Sequence, residues 1–284
     1  MLARDLMSRE FLKLSKDDSV SKFFGMVERA KRYPEAEALV FEGKKFIGIA
    51  SKKWMLKTKI DPSKMKVRHI VHSVPKLKGD EPVAEVARLL YTADVHILPV
   101  MKRGIVQGVV RSLDVIKVLK KMPRFARLKA STIMSTELHT IHAKDRVGKA
   151  LEMMREERIH HIPIVDSKGE LLDLVSFTDF MQFYLIKMQG SGEYGHRGSA
   201  IHQKSDMRTK AAEAEKCDMH GFLSMNITSP ILITASPDDS VSRIIDLMEE
   251  FRISNIVLVR KRKPVGIVTI RDLLKLFLSG LVKK

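Results

Sequence analysis

Two stretches of the chain place a hydroxyl and a carboxylate three residues apart, where a strand is predicted to end and a helix to begin. The residues are Thr269, Arg271 and Asp272 in one stretch and Ser176, Thr178 and Asp179 in the other. A carboxylate offers two oxygens to the two hydroxyls of a ribose, and a helix N-terminus favours phosphate. These residue types predict a nucleotide site. An Asp at a helix start can also serve only as a cap, and that alternative stays open.

The two stretches belong to a phrase that occurs four times along the chain. The copies are GIASKKW (48–54), GVVRSLD (108–114), DLVSFTD (173–179) and GIVTIRD (266–272). Upstream of each, an amphipathic helix pattern with apolar residues at i, i+3, i+4 and i+7 starts at Val20, Val83, Val147 and Val241. This spacing predicts one helix face in each copy. Two independent signals at matched spacing indicate a fourfold structural repeat.

The fourth copy is predicted to fold as helix, strand, strand and helix. Val241 to Phe251 is the helix, Ile256 to Val259 and Val265 to Thr269 are strands, and Asp272 to Leu278 starts the second helix. An extended lead-in covers Ile231 to Thr234. The third copy follows the same order, with a helix over Arg146 to Arg158, strands over Ile162 to Val165 and Leu171 to Val175, and a helix from Asp179.

The predicted fold class is therefore α/β, built of α+β repeats in which a small three-stranded sheet carries two helices. One unit of about 55 residues is marginal alone, so the repeats are expected to pair. Module 1 is predicted at residues 1–123, with repeats at about 1–60 and 66–122. Module 2 is predicted at 124–284, with repeats at about 129–189 and 220–282 and an insertion at 190–219. The joint is expected near Pro123 to Lys129.

Composition and motifs narrow the class of function. With 44% hydrophobic and 30% charged residues and no apolar run of membrane-spanning length, we expect a cytoplasmic protein without a membrane segment. Scarce Asn and Gln lean towards a thermophile. There is no glycine-rich phosphate loop, HExxH or nucleophile elbow, so no enzyme activity is expected. Cys217 and His220 resemble half a zinc site without a second pair, so neither a metal nor a required cofactor is predicted.

The chain carries a net charge of +17, and its basic residues are concentrated between positions 44 and 68. The nine in that stretch are Lys44, Lys45, Lys52, Lys53, Lys57, Lys59, Lys64, Lys66 and Arg68. Such a stretch is typical of a surface that binds DNA or RNA. The Lys-rich, solvated surface of a thermostable protein has the same composition, and this interpretation is favoured because Lys outnumbers Arg, whose forked guanidinium reads bases.

The four copies together resemble cystathionine β-synthase (CBS) domains. The resemblance rests on lead-ins that carry Met (Asp5 to Ser8, Ile133 to Ser135), first strands that contain Pro (His96 to Val100, His161 to Val165) and the Gly-h-h-Thr-x-x-Asp close. The pattern is similar to archaeal four-repeat CBS proteins, whose pairs are called Bateman modules, and to the γ subunit of AMP-activated protein kinase. It implies AMP, ADP, ATP or S-adenosylmethionine in the clefts between paired repeats, and association into discs, here as a homodimer.

The resemblance also implies roles for cationic residues. His160 and His96 match a phosphate-contacting position, and His161 follows at a neighbouring position where a basic residue is common. The fourth repeat has Ser254 and Asn255 there, so Arg252 could supply the charge instead.

Module 1 departs from the pattern. In the first repeat, Trp54 replaces the closing Asp. The second repeat keeps Asp114 but has Arg111 at the position of the hydroxyl residue. Arg111 could bind phosphate there, or its side chain could fill the site. Stronger binding in module 2 is therefore predicted.

The leading hypothesis is a regulatory sensor that binds an adenosine ligand and acts on a regulated protein that the sequence does not identify. The alternative is a protein that binds nucleic acid through the basic face of module 1. A third possibility is a scaffold whose clefts stay empty. Titration with adenosine ligands and a gel shift across salt concentrations separate these hypotheses.

Overall fold

The computed structural model describes residues 1–29, 37–51, 54, 65–181, 219 and 232–281. The helices are α1 (Ala3–Leu6), α2 (Val20–Arg29), α3 (Val83–Ala93), α4 (Ser112–Lys120), α5 (Pro123–Ala126), α6 (Val147–Glu156), α7 (Val241–Phe251) and α8 (Ile270–Leu281). The strands are β1 (Lys13–Ser15), β2 (Glu37–Glu42), β3 (Lys45–Ser51), β4 (Val71–His72), β5 (Ile97–Lys102), β6 (Ile105–Arg111), β7 (Ile141–His142), β8 (His161–Val165), β9 (Leu171–Ser176), β10 (Thr234–Ala235), β11 (Asn255–Arg260) and β12 (Lys263–Thr269). Most of the insertion at 190–219, including Cys217, and His220 beyond it lie outside the described residues.

The predicted mixed α/β repeat is confirmed. Repeat 1 contains α2, β2 and β3; repeat 2 contains α3, β5, β6 and α4; repeat 3 contains α6, β8 and β9; and repeat 4 contains α7, β11, β12 and α8. Helix α7 has the predicted bounds, and the Ser240 hydroxyl begins it by accepting the N–H of Arg243 at 3.1 Å. Asp18, Asp145 and Asp239, each just before such a helix, accept a backbone N–H three residues upstream.

The sheets differ from the uniform three strands that were predicted. Repeats 1 to 4 have sheets of four, two, three and three strands among the described residues. The difference arises because a lead-in pairs with the sheet of the partner repeat. Strand β4, which leads into repeat 2, pairs with β3 of repeat 1, and Ser8 bridges Val109 of repeat 2. In module 2, Ser135 bridges Ile267.

A glycine in the repeated phrase permits each of these crossings. A Cβ on Gly48 would lie 2.3 Å from the backbone oxygen of His72, and a Cβ on Gly108 would lie 2.4 Å from that of Ser8. A Cβ on Gly266 would lie 2.5 Å from the sulfur of Met134. At Gly48 and Gly108 the glycine is therefore needed for close backbone approach, whereas at Gly266 it makes room for a side chain.

The helix faces of the two modules pack together within one chain. One core cluster joins repeats 2 and 4, where α3 and α4 contact α7 and α8. A second cluster joins repeats 1 and 3 through Val20, Phe23 and Phe24 on one side and Val147 and Met154 on the other. Burial of each large apolar side chain contributes about 1.5–3 kcal/mol. The amphipathic faces predicted from the sequence are thus covered by the other module of the same chain.

The segment expected to join the modules is ordered. It forms the short helix α5, which packs on α4 and α7 and buries Phe125. Lys129 then bridges Ser240 at the start of α7. The predicted module boundaries themselves stay predictions.

Candidate functional site

The two hydroxyl–carboxylate pairs of module 2 have nearly the same geometry. Oδ2 of Asp272 accepts the backbone N–H of Thr269 at 2.8 Å and its hydroxyl at 2.7 Å. Oδ2 of Asp179 accepts the backbone N–H of Ser176 at 2.7 Å and its hydroxyl at 2.6 Å. Both pairs lie where a strand passes directly into a helix. Asp179 is buried, with 9% of its surface exposed, and Asp272 is half-buried.

These bonds correct one part of the sequence argument. Both aspartates do serve as caps, and Oδ2 of Asp272 already accepts two hydrogen bonds. A carboxylate has about four acceptor positions, two on each oxygen. A ribose diol would therefore be accepted by Oδ1 of Asp272 rather than by one hydroxyl on each oxygen. The cap bonds fix the orientation of the Asp272 carboxylate and leave Oδ1 able to accept hydrogen bonds.

The first strand of each repeat begins beside these pairs. Asn255 lies opposite Thr269 in the register, and His161 lies opposite Ser176. The preceding residue uses its carbonyl at the next helix: His160 accepts the N–H of Phe177 at 2.9 Å, and Ser254 that of Ile270 at 2.9 Å. Nδ1 of His160 is buried. Thr178 is half-buried on the first turn of the helix that begins at residue 177.

The two arginines proposed for repeat 4 lie in different surroundings. Arg252 ends α7 in the left-handed conformation (φ 54°) and is exposed. Arg271 contacts module 1: Nη1 donates to Asp94 Oδ1 at 2.8 Å and to the Tyr91 carbonyl at 3.2 Å, with the guanidinium 4.3 Å from the centre of the Tyr91 ring. A phosphate would have to compete with these contacts for Arg271.

In module 1 the corresponding positions are occupied by side chains. The ring of Trp54 lies 3.9 Å from that of His72, centroid to centroid, in the place of the missing carboxylate. Arg111 donates to the backbone carbonyl of Glu10, on the segment that follows the first lead-in. This contact favours the interpretation that Arg111 fills its own site. His96 lies 3.2 Å from the Ser112 hydroxyl through Nδ1.

Glu37 is a residue that the sequence argument missed. It is 3% exposed, and its Oε2 accepts the backbone N–H groups of His96 at 2.9 Å and Ile97 at 3.1 Å. Glu37 therefore joins the first strands of repeats 1 and 2 inside module 1. It occupies the same position in its repeat as Asn255 does in repeat 4, opposite the last residue of the second strand. A carboxylate at the start of an apolar strand was the available signal.

Asp114 belongs to an ionic cluster between the modules. Lys117 lies 3.3 Å from Asp114 and 3.0 Å from Glu249 on α7, and Lys120 pairs with Asp246. Burial lowers the pKa of Lys117, but its contacts with Glu249 and Asp114 outweigh this, so the pKa lies above its usual value. Asp114 is thus held by a lysine at the module interface.

The basic stretch is described only in part. Lys44 and Lys45 are exposed at the turn between β2 and β3, and Lys66 and Arg68 are exposed near the start of β4. Arg68 pairs with Asp17 at 2.7 Å. Lys52, Lys53, Lys57, Lys59 and Lys64 lie outside the described residues.

The residues that the structure describes contain no group of three or more His, Cys, Asp or Glu placed to hold a metal ion. Across the described ranges, none of the helices combines the length and the apolar character needed to cross a bilayer.

A family model for the CBS domain matches residues 67–121, 130–186 and 225–279. This chain belongs to the CBS domain family. The matches correspond to repeats 2, 3 and 4. Among the described residues, repeat 1 has the same order of helix, strand and strand, and it departs most from the repeated phrase because Trp54 replaces the closing Asp. The resemblance inferred from the four copies is therefore confirmed.

Several proteins are similar over most of this CBS chain. An uncharacterized protein of Methanocaldococcus jannaschii is 22% identical over 96% of the chain, which spans 61% of that protein. An uncharacterized protein of Thermofilum pendens, from a ribosomal RNA operon, is 22% identical over 73% of the chain and 63% of its own length. The chain thus spans about three fifths of these relatives.

A solved structure from Methanocaldococcus jannaschii shares the fold. It is described as a proposed archaeal homologue of γ-AMPK, and it superposes with a TM-score of 0.73 at 18% identity. The match covers 98% of this CBS chain and all of that one. At this identity the likeness concerns the fold alone.

Proposed function

We propose that this CBS protein is a non-catalytic regulatory sensor that binds an adenosine ligand in module 2. The observation that carries the proposal is the repeated hydroxyl–carboxylate pair. Thr269 with Asp272 and Ser176 with Asp179 have the same bonds at the same place in two repeats. Each pair presents a held carboxylate at a helix N-terminus, where a diol and an anionic group can be bound together.

The contrast with module 1 supports the assignment to module 2. The Trp54 ring contacts that of His72 in a tilted arrangement, and Arg111 donates to the Glu10 carbonyl. A ligand would have to displace these side chains, which costs the interactions that they already make. In module 2, Oδ1 of Asp272 takes no part in the cap bonds and keeps its acceptor capacity. We therefore expect ligand sites in module 2 and a structural role for module 1.

The proposed regulation acts through the contact between modules. Arg271 lies on the first turn of α8, directly before Asp272, and its guanidinium donates to Asp94 of repeat 2. A ligand that binds beside Asp272 can shift the arrangement of modules only if it binds the two arrangements with different affinity. Movement of the start of α8 would be transmitted to α3 through Arg271.

The test is titration calorimetry with AMP, ADP, ATP, NADH and S-adenosylmethionine on the whole chain. Asp272→Asn and Asp179→Asn are sharper than alanine variants, since an amide oxygen can still accept the cap bonds. Loss of a charge-assisted hydrogen bond is worth about 1.5–3 kcal/mol, so affinity should fall roughly 10- to 150-fold.

Asp239→Asn is the matched control for these variants. Asp239 is half-buried and accepts the backbone N–H of Ser236 at 2.7 Å in the same local geometry, but it lies before α7 and not at the proposed site. The free energy of unfolding of Asp239→Asn should change by about the same amount as that of the site variants. Its ligand affinity should be unchanged. Equal affinities for all four proteins would refute the ribose role, and absence of binding by the whole panel would favour the scaffold.

The nucleic-acid alternative receives no specific support from the described residues. Of the four basic residues described in that stretch, Arg68 is already paired with Asp17. A gel shift with duplex DNA and RNA tests the alternative, because binding by phosphate contacts weakens steeply as salt rises. Weak binding at low salt without a steep dependence would exclude it.

A further inference from the structure

Asn255 carries a buried polar atom that none of the described residues satisfies. The residue is 7% exposed, and no hydrogen bond reaches its Oδ1 from any residue that the structure describes. Among the described residues, the partner of its Nδ2 is the Ser254 hydroxyl, at a long distance of 3.4 Å. A buried amide oxygen without a donor costs free energy, which a ligand that donates a hydrogen bond there would recover.

The position of Asn255 places that oxygen at the proposed site. Asn255 and Thr269 are directly opposed on antiparallel strands, so their side chains emerge on the same face, with Cβ atoms about 5 Å apart. The Thr269 hydroxyl is bonded to Asp272 at 2.7 Å. An amide, a hydroxyl and a carboxylate therefore gather at one strand end of repeat 4.

Repeat 3 has the same arrangement with one difference. His161 lies opposite Ser176, whose hydroxyl is bonded to Asp179 at 2.6 Å. The two sites share the hydroxyl and the carboxylate, and they differ in having an imidazole or an amide across the strand pair. An imidazole can carry a positive charge and donate to an anion, whereas an amide oxygen accepts a hydrogen bond.

Resting on the function proposed above, we propose that Asn255 determines the ligand class of the repeat 4 site. Its Oδ1 accepts a hydrogen bond from an N–H or O–H group of an adenosine ligand. The site then favours a ligand whose group at that point is neutral or cationic over one that presents a phosphate. A phosphate oxygen offers no donor to Oδ1, and the amide cannot supply the positive charge that an imidazole can. The repeat 3 site, with His161, takes the anionic ligand.

The test isolates the repeat 4 site by using Asp179→Asn as the background. Calorimetry compares adenosine, AMP and ATP on this protein and on the same protein with Asn255→Leu or Asn255→His. We expect adenosine to bind more tightly than AMP or ATP in the background protein. Asn255→Leu should weaken adenosine about 3- to 10-fold, the loss of one neutral hydrogen bond. Asn255→His should shift the preference towards AMP.

Thermal unfolding without ligand supplies a second readout. Leucine has the branched shape of asparagine and no acceptor to satisfy, and valine removes the acceptor with less added volume, so Asn255→Leu or Asn255→Val should raise Tm by about 2–4 °C. A Tm lowered in both variants would mean that Oδ1 has a structural partner and would overturn the proposal. If AMP or ATP binds more tightly than adenosine and Asn255→His has no effect on this preference, the role proposed for Asn255 is overturned and the sensor function stands. No binding of any probe by the unmodified protein would overturn both.

Discussion

The lead-in crossings predict that two chemically identical substitutions will differ in cost. Gly108→Ala places a Cβ 2.4 Å from the Ser8 backbone oxygen and 2.7 Å from Cγ of Met7. That oxygen accepts the N–H of Val109 at 2.8 Å, and the N–H of Ser8 donates to the Val109 carbonyl at 2.9 Å. The clash can be relieved only by moving the backbone at Ser8, so both hydrogen bonds are strained or lost.

The magnitude follows from these contacts. Two hydrogen bonds are worth about 0.5–1.5 kcal/mol each, and overpacking adds about 1–3 kcal/mol. Restriction of the unfolded chain by alanine returns about 0.4–1 kcal/mol. We therefore expect Gly108→Ala to lower the free energy of unfolding by about 2–4 kcal/mol.

Gly266→Ala is the matched comparison. Its Cβ would lie 2.5 Å from Sδ of Met134, and the three nearest atoms all belong to that side chain. Methionine has three rotatable side-chain bonds and adapts readily. The hydrogen bonds between Ser135 and Ile267, at 2.9 and 3.0 Å, can persist. A cost of about 1 kcal/mol is expected.

Urea unfolding followed by circular dichroism measures both costs, and the fluorescence of Trp54, the single tryptophan, reports on module 1. The unfolding midpoint of Gly108→Ala should fall well below that of Gly266→Ala, in both signals. Equal midpoints, or a larger loss for Gly266→Ala, would show that the lead-ins do not cross the sheets as described.

Two further predictions concern contacts between repeats. Arg271→Gln combined with Asp94→Asn in a double-mutant cycle should give a coupling of only about 0.2–1 kcal/mol, because the side chains are 48% and 62% exposed. The affinity for AMP should change less than about threefold. A loss of tenfold or more that is confined to phosphate-bearing ligands would instead make Arg271 a phosphate contact. Glu37→Ala leaves the buried N–H groups of His96 and Ile97 without their acceptor and should cost about 2–4 kcal/mol in urea unfolding. Glu37→Gln keeps an acceptor oxygen and should cost clearly less, so equal losses for the two variants would argue against the hydrogen bonds.

Much of the fold could be predicted because its signals are local. The period of the apolar residues located α7 at the bounds that the structure has, and the β-branched run before Lys261 located β11 to within one residue at each end. The Ser240 cap and the Thr269–Asp272 pair join residues three apart, so their spacing in the sequence is nearly their geometry.

The occupation of each site could not be predicted in the same way. Glu37 reaches a strand 59 positions away, and Arg271 reaches Asp94, 177 positions away. Amphipathic spacing shows that a helix has a face to bury, but not which helix will cover it. The four-stranded sheet of repeat 1 was missed for the same reason, since β4 comes from the lead-in of its partner repeat.

The sequence by itself determined that one unit recurs four times, where the helices and strands of the third and fourth copies lie to within about two residues, and which two copies keep a hydroxyl and an acid at the strand end. Those features depend on hydrophobic periodicity and on contacts within one turn of chain. The tertiary structure alone decided that Arg111 and Trp54 are bound by neighbours, that Arg271 joins the modules and that Asn255 faces Thr269 with an unsatisfied oxygen. Packing between distant segments sets those contacts. Each lead-in pairs with the sheet of the other repeat, and the helices of one module pack on those of the other. Residues far apart in the sequence thereby come into contact, and their spacing along the chain does not show this.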